Sequence, residues 1–143
     1  MFKGSAKGRY GLLLMVELAL QAGRGPVLLA DIAERQALPV KFLRVLLGSL
    51  KAAGLVKVQR GPSGGCELTR HPSHITALDV LEALEGSFVA GSLSTDATHG
   101  ARAVRELWSR STEAARTILR GTTLADLADR HQALEVDSQG YSI

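Results

Sequence analysis

The chain has 143 residues, of which 45% are hydrophobic, 22% are charged and 4% are aromatic. These fractions are typical of one soluble globular domain with a buried core. The formal net charge of +3 permits a nucleic-acid partner without requiring one. A single cysteine excludes an intramolecular disulfide framework. The longest uncharged apolar run, Gly11 to Val16, is too short to cross a membrane, so we expect a cytoplasmic protein without membrane contact.

Three helices are predicted in the first part of the chain. Strong helix formers fill residues 6–22, and the glycines and proline that follow end the first helix. A short second helix is predicted over residues 29–36 and a third over residues 39–53. Only residues 37–39 separate them, and the proline at the end of this break suits a helix start.

The third predicted helix has an apolar face and a cationic face. Its apolar face consists of four leucines at helical spacing, Leu43, Leu46, Leu47 and Leu50. Its other face carries three cations and a glycine, Lys41, Arg44, Lys51 and Gly48. Because the glycine has no side chain, a flat polyanion could approach this face closely.

A β-hairpin is predicted after the third helix. Residues 55–59 and 66–69 have the pattern of antiparallel strands, and residues 60–65 contain three glycines and a proline. The backbone of such a tip can approach another molecule without obstruction by Cβ atoms.

The second part of the chain is predicted to be helical on both sides of a loop. A capping sequence at Thr76 opens a helix to Glu85, and small polar residues make residues 87–100 a loop. A long helix follows over residues 101–120, then a short helix to about His131 and a flexible polar tail from 133 to 143. The long helix repeats apolar or small residues near coiled-coil spacing, which predicts a dimer seam of Val104, Leu107, Trp108, Ser111, Ala115, Ile118 and Leu119.

The order of these elements is that of a winged helix-turn-helix, a mainly α fold with a small β-hairpin wing. We expect a DNA-binding domain over residues 1–86 and a dimerisation part over residues 101–132. In this motif the second helix of the pair enters the major groove with its N-terminal residues towards the bases. The predicted DNA contacts are Pro39, Val40, Lys41, Arg44 and Lys51 on the helix, Arg60, Gly61, Ser63, Gly64 and Gly65 in the wing, and the upstream cations Lys3, Lys7 and Arg9. Whether Lys41 and Arg44 contact bases or phosphates stays open.

Each of these features also has an ordinary structural interpretation. A cationic helix face is usually solvated, and a glycine-rich hairpin is usually a tight turn. Their order favours DNA binding, as does the location of acidic residues such as Glu106 and Glu113 in the later helices. A winged protein-interaction module that has lost DNA binding is the alternative. An enzyme with a phosphate-binding loop is not supported, because Cys66 and a strand follow the glycines where Lys-Ser/Thr and a helix are needed.

Several motifs together resemble the Rrf-two family of winged helix-turn-helix transcription regulators. The matching segments are 7–12, 32–35, 42–43, 50–56, 60–65 and 81–86. The resemblance covers about residues 2–130. It implies a homodimer built on the long helix, with recognition helices in successive major grooves of an operator and wings in the minor groove. A repressor fits this arrangement, and the resemblance leaves room for a small-molecule effector or a protein partner.

The chain departs from the cluster-binding members of that family. Those members carry three cysteines in the loop before the dimerisation helix, whereas residues 87–108 contain none. A [2Fe–2S] centre needs about four ligands, mainly thiolates. We therefore expect the cluster-free branch, with no cofactor and no metal. Cys66 is either a redox sensor that acts on the wing or a small buried hydrophobe.

Overall fold

The computed structural model describes residues 6–61, 64–86 and 98–140 and shows a mainly helical protein with one antiparallel hairpin. The helices of these ranges are α1 (Ala6–Leu20), α2 (Leu29–Gln36), α3 (Val40–Ala52), α4 (Ala77–Glu85), α5 (His99–Arg120) and α6 (Leu124–Gly140). The strands are β1 (Val56–Gln59) and β2 (Gly65–Leu68), and a single 3-10 turn, Pro72–His74, precedes α4. The predicted fold class is confirmed. Among the helices of these ranges, none is both long and apolar enough to span a membrane.

One hydrophobic core joins α1, α3, α4 and the hairpin. The apolar face of α3 lies in it, since Leu43, Leu46 and Leu50 have no exposed surface. Leu14 and Met15 of α1 are equally buried. The apolar periodicity of α3 therefore fixes the opposite, cationic face towards solvent.

The turn between α2 and α3 is closed by backbone hydrogen bonds. Ala37 has a φ of 53°, in the left-handed region, and its N–H donates to the Glu34 carbonyl at 3.2 Å. The Leu38 N–H donates to the Ala33 carbonyl at 2.9 Å, which completes a Schellman ending. The helix α3 begins at Val40, one residue later than predicted, so Pro39 lies just before it as the N-cap.

A buried carboxylate ties α2 to α1. Glu17 is only 8% exposed, and its carboxylate accepts hydrogen bonds from Arg35 Nη2 at 2.9 Å and Gln36 Nε2 at 2.8 Å. A buried charge is tolerated when it is paired in this way. The sequence marked Glu17 only as an interruption of an apolar run, because its partners lie on another helix.

A third extended segment, which the sequence did not reveal, lies beside the hairpin. Within β1–β2 the register pairs Val58 with Cys66 and Gln59 with Gly65. On the other side of β2, Val27 and Cys66 exchange both backbone hydrogen bonds at 2.8 Å. The wing is therefore fastened to the segment that precedes α2.

The C-terminal helix is longer than predicted. The sequence predicted an end near His131 and a flexible tail, but α6 continues to Gly140. The polarity of this segment suggested fraying, yet it contains good helix formers and no proline. An i,i+4 contact of 3.2 Å between His131 Nε2 and Glu135 Oε1 also supports the helix. The final residues 141–143 of the predicted tail lie outside the described ranges.

The end of the predicted loop also differs. His99 and Gly100 are the first residues of α5, because the Thr98 hydroxyl caps the helix by accepting from the Ala101 N–H at 3.1 Å. The rest of the predicted loop up to residue 97 lies outside the described ranges.

The start of α6 is part of the winged body. The Ala77 N–H donates to the Thr122 carbonyl at 2.8 Å, and the Leu124 N–H donates to the Ile75 carbonyl at 2.9 Å. Leu124 is completely buried in the shared core. The sequence grouped α6 with the dimerisation helix, whereas its first turns pack against the body formed by residues before Gly86.

Candidate nucleic-acid interface

The solvent face of α3 is exposed and cationic. Lys41, Arg44, Gly48 and Lys51 are all exposed, as the spacing predicted. Val45 also lies on this side and is 65% exposed. These five residues are called the recognition face below. Val45 was not among the predicted contacts, although it lies four residues after Lys41 and three before Gly48, which places it on the same helix face.

The beginning of α3 presents only part of its predicted contact set. Pro39 is exposed. Val40, in contrast, is half-buried and packs against the hydrophobic core. Because the Val40 side chain is partly packed in the core, Pro39 and Lys41 are the exposed side chains at the start of α3.

The wing places an arginine next to an exposed glycine. Arg60 and Gly61 are both exposed, and Gly61 has a φ of 105°. That backbone conformation is open to glycine and rarely to other residues. Ser63, predicted to lie at the tip, falls outside the described residues.

Gly64 and Gly65 are glycines for an internal reason. Gly64 is buried, its N–H donates to the Gly61 carbonyl at 2.9 Å, and a Cβ there would collide with the Gln59 carbonyl. A Cβ on Gly65 would lie 2.5 Å from the Val27 carbonyl oxygen. Close approach of the chain to itself, rather than to a partner, explains these two glycines.

The upstream cations belong to the first helix. Lys7 and Arg9 are exposed and lie within the first turn of α1. Lys3 lies outside the described residues. Both described cations are exposed to solvent.

The long helix α5 has a less exposed face and, next to it, an exposed apolar face. One is half-buried or buried and consists of Ala101, Arg105, Trp108, Thr112, Ala115 and Leu119. The other is exposed and consists of Val104, Leu107, Ser111, Ala114 and Ile118. We call the second set the exposed stripe. The predicted seam mixes the two faces, since Trp108, Ala115 and Leu119 lie on the less exposed one.

The exposed stripe carries large aliphatic side chains in water. Val104, Leu107 and Ile118 are 50%, 56% and 69% exposed. Their 3-4-3-4 spacing with Ser111 and Ala114 matches a helix-packing seam. Ala114 was missed because alanine alone gives little signal in an alanine-rich helix.

Cys66 lies in the core beneath the wing. It is 1% exposed, and its thiol donates a weak hydrogen bond to the Val27 carbonyl at 3.4 Å. Burial raises the pKa of the thiol to about 11. Because the thiolate is the reactive form, this environment favours the structural interpretation of Cys66. The redox-sensor hypothesis stays a prediction.

An iron–sulfur cluster does not fit the residues of this chain. The one cysteine is buried and already hydrogen-bonded within the sheet. Among residues 6–61, 64–86 and 98–140, no three His, Cys, Asp or Glu side chains come together as a metal site. A cluster of this kind needs about four ligands, mainly thiolates, and a single cysteine does not supply them.

A short helix, a tight turn, a cationic second helix and a hairpin wing together form a winged helix-turn-helix, which is a DNA-binding fold. The comparisons with known proteins agree. The chain is 44% identical over 126 residues to the HTH-type transcriptional regulator CymR of Bacillus subtilis (strain 168), covering 88% of this chain and 89% of that protein. It is 34% identical over 140 residues to the HTH-type transcriptional regulator IscR of Vibrio atlanticus (strain LGP32), covering 96% of this chain and 81% of that protein.

A solved structure and a family model extend this result. The structure of CymR, the global cysteine regulator of B. subtilis, matches with a TM-score of 0.82 and 43% identity, covering 91% of this chain and 98% of that one. The family model described as Rrf2, iron-dependent transcriptional regulator, matches residues 4–130. The chain belongs to the Rrf2 family, as its motifs indicated. It is a DNA-binding transcriptional regulator and not an enzyme.

Proposed function

We propose that this protein is a cytoplasmic homodimeric repressor that binds an operator with α3 in the major groove and the wing in the minor groove. The observation that carries the proposal is the exposed set of cations on the recognition face, opposite the leucines that anchor α3. Arginine and lysine on an exposed recognition helix suit both guanine edges and phosphates.

The wing supports the same orientation. Arg60 is exposed at the end of β1, where the hairpin leaves the body. An arginine inserted into a minor groove is stabilised by the negative potential of that groove. The bonds between Val27 and Cys66 hold the hairpin to the body, so the wing and α3 are presented together.

The test is operator binding by variants with matched controls. Arg44→Ala or Arg60→Ala should weaken binding to an operator selected from random duplex DNA by about 1–3 kcal/mol if either side chain reads a base. Arg130→Ala removes an exposed arginine of α6 and should leave affinity unchanged. Fluorescence anisotropy gives the Kd values. Unchanged affinity in both Arg44→Ala and Arg60→Ala would contradict the proposal.

Salt dependence separates base contacts from phosphate contacts. The logarithm of the affinity should fall linearly with the logarithm of salt concentration, by about 0.9 for each neutralised phosphate. If Lys51 contacts a phosphate, Lys51→Ala should reduce the magnitude of the slope by about two per dimer, because each protomer contributes one contact. A salt-independent affinity of the unmodified protein would contradict operator binding through the cationic face.

The exposed stripe of α5 is the surface that we assign to dimerisation. Three large aliphatic side chains on one face of a helix are costly to leave in water and are buried when a second copy packs against them. Two copies related by a two-fold axis would bury the same stripe on each helix. The half-buried Trp108 then contributes from the neighbouring face of α5.

Substitution in the stripe tests the dimer. Leu107→Glu places a charge within the exposed stripe and should convert the protein to a monomer. Operator binding should weaken, because two separate monomers must then bind the two half-sites. Leu134→Glu is the control, since Leu134 is 50% exposed, close to the 56% of Leu107, but lies on α6. Analytical ultracentrifugation measures the mass. A dimer that persists in Leu107→Glu would place the interface elsewhere.

We propose repression because a dimer bound across a promoter occupies the DNA that RNA polymerase needs. We propose that this occurs without an iron–sulfur cluster, since the chain lacks the thiolates. A transcription assay with purified polymerase, with the operator placed across the promoter, should show less transcript as the protein is added. More transcript would identify an activator.

A further inference from the structure

We propose that Val45 reads the C5-methyl group of a thymine in each operator half-site. The proposal rests on the operator binding described above and adds a residue that selects sequence. Its starting point is an exposed aliphatic side chain on the recognition face. Val45 is 65% exposed, whereas its neighbours on α3, Leu43, Leu46 and Leu47, are each at most 8% exposed.

The position of Val45 places it among the groups that meet the DNA. It follows Arg44 directly, and the helical repeat sets it against Lys41 on one side and Gly48 on the other. All three of these neighbours are exposed. A contact of Arg44 or Lys41 with a base pair therefore brings Val45 to the edge of the same or the next base pair.

Gly48 leaves room for that contact. A Cβ added at Gly48 would meet no atom within 4 Å, so the next turn of α3 has open space in place of a side chain. The groove floor can therefore approach the backbone of α3 at this turn. The side chain of valine is short, so it reaches a base edge only where the DNA comes close to the helix. A longer side chain at position 48 would keep the DNA away.

The chemistry of the groove identifies the group that Val45 would meet. Major-groove edges present hydrogen-bond donors and acceptors, and the thymine methyl is their apolar group. Valine has no hydrogen-bonding atom, so it would cover a cytosine amino group or a guanine carbonyl without satisfying it. When the valine side chain contacts a thymine methyl group, the apolar surfaces of both groups are removed from water, which is favourable.

The experiment removes one methyl group from the DNA. An operator is selected from random duplex DNA with the full chain, and each thymine of the half-sites is replaced by deoxyuridine, which keeps all hydrogen-bonding groups. We expect one position per half-site at which this change weakens binding by about three- to five-fold, as expected for one buried methyl group. Val45→Ala should reduce the ratio of thymine to deoxyuridine affinities at that position, because alanine presents less apolar surface to the methyl group.

Lys51→Ala is the matched control, because it removes a cation from the same face without changing the aliphatic contact. It should keep the ratio of thymine to deoxyuridine affinities at the sensitive position. Since Val45 is exposed, Val45→Ala should also keep the Tm of the native protein, measured by circular dichroism.

The outcomes separate this proposal from operator binding itself. If no position is sensitive to the methyl group, or if the same sensitivity persists in Val45→Ala, the role of Val45 is overturned while loss of binding in Arg44→Ala still supports the operator model. If no duplex is selected at all, operator binding fails first. If Lys51→Ala also makes the thymine and deoxyuridine affinities equal at the sensitive position, the sensitivity depends on how α3 as a whole binds the groove. Val45 is then not the residue that contacts the methyl group.

Discussion

At the scale of single residues, the turn of the helix-turn-helix contains a backbone conformation that its residue does not favour. Ala37 is the one described non-glycine residue with a positive φ. In an L-residue this conformation brings Cβ close to the backbone, and glycine is the usual solution at a Schellman ending. The turn holds because both hydrogen bonds to the end of α2 are made.

Ala37→Gly should therefore stabilise the protein by about 0.5–1 kcal/mol, since glycine adopts the left-handed conformation without steric cost. Urea unfolding followed by circular dichroism measures the change. Ala133→Gly is the matched control. Ala133 is exposed inside α6, where the same substitution should lower the free energy of unfolding by up to about 1 kcal/mol. Destabilisation by Ala37→Gly would mean that the strain is negligible.

The hydrogen-bond partners of Glu17 could not be predicted from the sequence around it. The sequence places a charge within an apolar helix but does not reveal its partners. Arg35 and Gln36 reach Glu17 only because α2 packs across α1. The identity of the residue was evident from the sequence, but the neutralised environment of its carboxylate was not.

At the scale of elements, the wing depends on two sets of contacts. The two strands of the hairpin were predicted to within one residue at each end, whereas their register comes from the structure. The pairing of β2 with Val27 was not foreseen, because one residue has no periodicity to detect. That pairing leaves no space for a side chain at Gly65.

Two glycine-to-alanine substitutions test this account. Gly65→Ala should destabilise the protein by about 1–3 kcal/mol, because the new methyl group meets the backbone of Val27, which cannot rotate away. Gly48→Ala, in open space on α3, should instead stabilise it by about 0.5–1 kcal/mol, since alanine is the better helix former. Both are measured by urea unfolding. Equal effects of the two substitutions would contradict the wing-to-Val27 contact.

At the scale of the whole molecule, α6 connects the two parts that the sequence separated. Its first residue, Leu124, is fully buried, and Leu127 and Ala128 pack against the same core. The bonds between residues 75–77 and 122–124 fix where α5 ends against the body. The direction of the proposed dimer helix is therefore set relative to the recognition face.

Leu124→Ala should destabilise the native protein by about 2–5 kcal/mol, because it leaves a cavity in a core shared by α1 and α6. Leu134→Ala should change stability by less than about 0.5 kcal/mol, since Leu134 is half exposed on the far part of α6. Urea unfolding by circular dichroism gives both values. A small effect of Leu124→Ala would mean that α6 is not part of the body.

Residue type and spacing along the chain were enough to predict the element order, the apolar and cationic faces of α3, and the family. These properties depend on residue type and on spacing within one segment, which periodicity reports directly. The tertiary structure decided the rest: the burial of Cys66, the internal reason for Gly64 and Gly65, the exposed stripe of α5 and the docking of α6. Each of these depends on contacts between residues far apart in the chain, so no single segment contains the information. The DNA-binding elements were evident from local pattern, and how they are held together was decided by packing.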